Sequence, residues 1–119
     1  MSKIAFIKGF YEQLYAFLGE MTEMYPEDIE FRTYDTSIRL IQSTNPVLAP
    51  KTFYETVREF SDKIDARDED FFLNYTYKDV DVDIVGKMSK YFIESSPETK
   101  KCVWDYVTVL KELSKRAVS

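Results

Sequence analysis

The chain of 119 residues contains no histidine. That absence removes the commonest general base, the imidazole ligands of zinc sites and every nucleophile that works through an adjacent histidine. Cys102 is the only cysteine, and on a helix it reads as a small, buried apolar residue. Gly9, Gly19 and Gly86 stand apart from one another, so no glycine-rich phosphate loop is present. Carboxylates are what remain. Asp79-Val-Asp-Val-Asp83 resembles the first half of a calcium loop, but that loop then wants glycine where Ile84 stands and a bidentate glutamate where Lys90 stands. Asp68-Glu-Asp70 has the same defect. Both runs read as acids at helix N-termini, complementing the helix dipole. A metal-dependent carboxylate enzyme built on the two runs is the one enzymatic alternative that the residue types leave. The expectation is a non-enzymatic protein with no catalytic residue, no metal and no cofactor.

The elements that would position these groups are helical. At about 100° per residue, Phe6, Ile7, Phe10, Tyr11, Leu14, Phe17, Leu18, Met21, Met24 and Tyr25 share one broad face of a helix over 3–25, which Pro26 ends. The arc is wider than a surface helix needs, so this helix is either central or covered by another chain. In 27–44, Phe31, Tyr34, Ile38 and Ile41 fall together, with Ile29 and Leu40 opposite them. Asn45-Pro46 closes this helix, and 46–50 is a connector. A narrow stripe of Phe53, Val57, Phe60 and Ile64 predicts a peripheral helix over 51–66, with Pro50 at its first position. The stretch 67–81 reads as a loop with one turn at 68–73. A helix follows over 81–93, where Gly86 permits a close approach. The last helix starts at Ser95 or Ser96, with Ser95 and Glu98 fitting a capping box and Pro97 in the first turn. The prediction is an all-α fold, a single compact bundle of about five helices forming one domain over 1–119. Three Gly and four Pro are too few for the many turns of a sandwich or barrel.

Contact residues are the remaining candidates. Trp104 falls off the main apolar arc of the last helix, beside Thr108 and Lys111. It either packs under a neighbouring segment such as 71–73 or anchors a partner, since Trp and Tyr dominate interface energetics. Phe71, Phe72, Tyr75 and Tyr77 in the loop, and Tyr15 on the first helix, join it as interface candidates. Lys100, Lys101, Lys111, Lys115 and Arg116 concentrate positive charge on the last helix. This is a solvated face or, in the alternative reading, the contact surface of a small nucleic-acid-associated regulator. The net charge of −5 disfavours nucleic acid and anionic membranes as main ligands.

Nine Phe, nine Tyr and 45% apolar residues exclude a disordered tail. No apolar run approaches the roughly 20 residues needed to span a bilayer, and 4–7 is too short for a signal peptide. With a lone cysteine, the expected location is intracellular.

Four segments together carry a resemblance: Glu20-Met-Thr-Glu-Met-Tyr-Pro26, Ser43-Thr-Asn-Pro46, Asp68-Glu-Asp-Phe-Phe-Leu-Asn74 and Val103-Trp-Asp-Tyr-Val-Thr-Val-Leu-Lys-Glu-Leu-Ser114. In order and spacing the chain resembles small uncharacterised helical proteins of nucleocytoplasmic large DNA viruses of algae and amoebae. The resemblance implies a viral protein of the infected host cytoplasm, with packaging in the virion as a further expectation. It implies no activity and carries no site residue over. The leading expectation is a protein–protein interaction or structural protein, self-associating or bound to a protein partner.

Overall fold

A computed structural model describes residues 2–74 and 91–118, the side chains of 72–74 excepted. Among these residues there are six α-helices and no strand: α1 (Lys3–Met24), α2 (Glu30–Thr44), α3 (Leu48–Val57), α4 (Ser61–Asp65), α5 (Glu69–Asn74) and α6 (Pro97–Val118). A 3-10 turn, Arg58–Phe60, joins α3 to α4, and residues 91–94 are helical. The Cα radius of gyration is 14.0 Å, close to the roughly 13–14 Å expected of one folded domain of this length. The expected helix over 81–93 lies mostly outside the described residues, and so do Gly86 and Asp79 to Asp83.

The ends of the helices follow from local chemistry. Ser2 caps α1, accepting the Ala5 N–H at 3.4 Å. Pro26 follows its end, and residues 26–27 form a turn. The second helix therefore starts at Glu30, three residues later than periodicity suggests. Asp28 accepts the Glu30 N–H at 3.0 Å and supplies the start signal. Pro50 occupies the third position of α3 and not the first. It is harmless there, because the first-turn N–H groups have no intrahelical acceptor. The single helix expected over 51–66 is broken at the 3-10 turn, so that α3 and α4 pack on α6 separately. Ser96, not Ser95, caps α6: its Oγ accepts the Thr99 N–H at 3.2 Å, with Pro97 in the first turn. Ser95 instead donates to the Tyr91 carbonyl at 2.6 Å.

Helices α1 and α6 form the principal pair, with α2 against α1 and α3 against both α2 and α6. The pair is antiparallel. Gly9 meets Leu113, Phe17 meets Tyr106, Glu20 meets Cys102, and Arg116 lies over Phe6. As the number rises along α1, it falls along α6. The broad apolar arc of α1 is thereby explained, since α2 and α6 cover it from two sides. Phe17, Leu18, Met21 and Phe31 form one buried cluster, and Phe10, Tyr11 and Leu110 form the other. Leu14 and Ile38 touch both clusters and join them into one core.

Two polar features lock the bundle. Tyr11 is fully buried, and its hydroxyl donates to the Pro46 carbonyl at 2.9 Å, tying α1 to the α2–α3 connection. Tyr91 stacks on Tyr25 with ring centroids 3.9 Å apart and donates to Asp28 Oδ2 at 2.6 Å. This clasp holds residues 91–95 against the corner between α1 and α2.

Candidate interaction surface

The expected contact aromatics are used within the fold wherever the structure describes them. Trp104 is half-buried, and its ring meets the buried Phe92 edge-on at 5.8 Å. Phe71 lies 5.7 Å from Phe60, under the Lys63 ammonium. Tyr15 packs across α1 and α2: its hydroxyl donates to Gln42 Oε1 at 2.5 Å, and the Arg39 guanidinium sits 4.1 Å above its ring. The structure does not bring these three rings together. Tyr75 and Tyr77, and the side chain of Phe72, lie outside the described residues.

The basic residues of α6 are likewise engaged. Lys100 binds Glu69 at 2.8 Å, Lys101 binds Asp105 at 3.0 Å, and Arg116 covers the Phe6 ring. Lys115 also has a partner. Lys111 is not on a solvated face at all. It is 5% exposed, with its ammonium 2.6 Å from Asp65 and 3.1 Å from Ser61. Burial pulls its pKa down, but the bond and charge of Asp65, aided by Glu112, more than reverse this and leave it raised. Local periodicity placed Lys111 in the basic patch because both α4 partners lie more than 40 residues earlier.

The acidic run at 68–70 is structural as well. Asp68 caps α5 by accepting the Phe71 N–H at 3.0 Å, and Glu69 takes Lys100. Among the described residues no group of three His, Cys, Asp or Glu is placed to hold a metal ion.

Cys102 lines a shallow groove of about 350 Å³ between α1 and α6, with Glu20, Tyr106 and Gln13. Its thiol donates to Glu20 Oε2 at 3.0 Å. That bond, with burial and the Glu20 charge, pushes the thiol pKa up to about 11. Burial foremost, and Glu20 after it, also raises Tyr106. The groove therefore holds the Cys102 thiol in its protonated form, the opposite of what a nucleophile requires.

Among the described residues, exposed aliphatic side chains stand at Ile4, Ile93 and Val109 and on the outer side of α2. Phe31, Tyr34 and Ile38 face the core, and the opposite stripe is Ile29, Thr33, Thr36 and Leu40. These four fall within an arc of roughly 60° at helical spacing. Ile29 is 73% exposed and Leu40 64%. Strong helix formers usually fill exposed helical positions that pack on nothing, and this stripe has none at its two threonines. The threonine hydroxyls are already committed: Thr33 donates to the Ile29 carbonyl at 3.3 Å and Thr36 to the Arg32 carbonyl at 3.1 Å. Ser43 and Thr44 do the same to the Leu40 carbonyl, each at 2.9 Å. Val47 and Leu48, also exposed, follow just beyond the helix end. The sequence signal for this face was present in Ile29 and Leu40, which sit opposite the buried stripe.

No helix among the described residues is long and apolar enough to cross a membrane. No protein-family model, no curated protein and no solved structure matches the chain.

Proposed function

We propose that this is a non-enzymatic protein that works by protein–protein contact, with the outer face of α2 as its contact surface. The observation that carries this reading is that face itself. Among the described residues it is an uncovered helical stripe with two exposed aliphatic side chains and hydroxyls already bonded to their own helix. Covering such a surface removes apolar area from water and strands no donor. The chemistry of the chain supports the non-enzymatic part: histidine is absent, the thiol is held protonated, and Asp68 and Glu69 are committed to a cap and an ion pair. In this reading the protein acts in the cytoplasm of a cell infected by a large DNA virus, as the sequence resemblance implies, and serves a structural or adaptor role there or in the virion.

Affinity capture from infected-cell extract, with wild type and an Ile29→Lys/Leu40→Lys variant in parallel, tests it. The expected result is a partner retained by wild type and lost from the variant, with the helical circular dichroism spectrum unchanged. Wild-type protein that retains nothing and stays monomeric at every concentration would remove the proposal.

A further inference from the structure

We infer that a second copy of this chain covers the outer face of α2, through an antiparallel, two-fold symmetric helix pair. The inference rests on the contact reading above and names the partner. The stripe Ile29, Thr33, Thr36 and Leu40 has spacings of four, three and four, so it reads the same from either end. A two-fold axis through its midpoint, between Tyr34 and Asp35, sets Ile29 against Leu40 of the partner subunit and Thr33 against Thr36 of the partner subunit. An isologous contact requires this kind of self-complementary patch, in which i meets j and j meets i. A foreign partner requires no such symmetry. Bulky side chains close the two ends, and threonines in the middle let the axes approach to the usual 8–10 Å.

Charge points the same way. The arc of α2 from Arg32 across the stripe to Ser37 contains no carboxylate, on a chain whose net charge is −5. Its one formal charge is Arg32, which the two-fold axis sets opposite Ser37 of the partner subunit and not opposite a second arginine. The area sets the strength. A 15-residue helix is about 22 Å long and 10–12 Å wide with side chains. Burying the facing half of two such helices covers roughly 1,000 Å² in total, the low end for a specific interface. The pair is therefore reversible, not obligate.

Light scattering and sedimentation over about 10 µM to 1 mM, the range in which an interface this small dissociates, provide the first test. The mass should rise from 14.1 kDa toward twice that value. Leu40→Lys, with an unchanged helical spectrum, should move the midpoint about tenfold higher in concentration, or beyond reach. Register is tested in a Cys102→Ser background. Ile29→Cys mixed with Leu40→Cys should form a disulfide-linked pair under mild oxidation. Ile29→Cys alone should not, because its two copies would sit about 16 Å apart along the axes, beyond disulfide reach. A mass that stays at one chain through 1 mM overturns the inference, even where affinity capture still finds a foreign partner at α2. In that case the contact reading survives without it. A dimer indifferent to Leu40→Lys, or one linked by Ile29→Cys alone, overturns it too, by assigning the contact to another face or a parallel register.

Discussion

Cys102 shows how one neighbour decides what a side chain can do. A thiol raised from 9.0 to about 11 by Glu20 has roughly a hundredth of the thiolate it would otherwise present at pH 8. Labelling of the native protein by a maleimide or disulfide reagent should be about 100-fold slower than labelling of the unfolded chain. Glu20→Gln should recover much of that rate by removing the carboxylate. Equal rates in wild type and variant would show that burial alone is responsible. Lys111 gives a second case. Asp65→Asn leaves a buried ammonium with weaker partners, and should lower stability by about 1–3 kcal/mol. Lys111→Met removes the charge while keeping the apolar stem, and should lie within about 1 kcal/mol of wild type. In the Lys111→Met background the Asp65→Asn cost should largely disappear. Denaturant midpoints of the four proteins close the cycle. At this scale the sequence was legible where a residue's meaning is local. Asp68 read correctly as a helix-start acid. Lys111 did not read correctly, because its meaning depends on residues far away in the chain.

Helix ends depend on which of two adjacent candidates wins. Ser95 and Ser96 are both plausible caps, and Ser96 wins because Pro97 then stands at the first helical position, where its missing N–H matters least. Periodicity carried α1, α2 and α6, because each presents a continuous apolar stripe to a neighbour. It overran α3, because Phe53, Val57, Phe60 and Ile64 keep helical spacing across a 3-10 turn that periodicity does not register. Helix α4 ends without the usual glycine. Arg67 takes φ 52°, with its N–H bonded to the Ile64 carbonyl and the Asp68 N–H to the Lys63 carbonyl, the Schellman arrangement. Its guanidinium reaches Asp105 at 2.6 Å. Arg67→Gly should relieve about 1 kcal/mol of backbone strain and lose an exposed ion pair of smaller value. Thermal unfolding should show it neutral or slightly stabilised, whereas Arg67→Val should be destabilised. Inside α1, a Cβ added at Gly19 would meet nothing within 4 Å. Gly19→Ala should therefore add about 0.5–1 kcal/mol through helix propensity alone.

For the whole molecule, the all-helical bundle was legible from the breadth of the first helix's apolar arc and the scarcity of Gly and Pro. Far-UV circular dichroism should give a helix content far above the globular average of about one third. The proposed contact surface was less legible. Aromatic residues are the usual anchors of interfaces, but they are also the largest pieces of core. In a bundle with eighteen Phe and Tyr the core claimed the rings at Phe10, Tyr11, Phe17 and Phe31. Among the described residues, the most exposed large apolar side chains are the aliphatic Ile4, Ile29, Leu40 and Ile93, a weaker signal than a ring. Phe31 is fully buried among Tyr25, Tyr34 and Tyr91. Phe31→Ala should lower stability by about 3–5 kcal/mol, measurable by chemical denaturation as a shift of midpoint with little change in slope.

The antiparallel match of α1 with α6 also sets a timetable. On the ribosome, Lys3 precedes Pro97 by roughly 5–20 s at about 5–20 residues per second. Through that interval α1 has α2 to lean on, but the strip that α6 will cover stays open to solvent and to other nascent chains. The core closes only when the last helix emerges. Premature termination before α6 thus yields a species with half of its central helix bare, a natural substrate for chaperones and proteases rather than a smaller working protein.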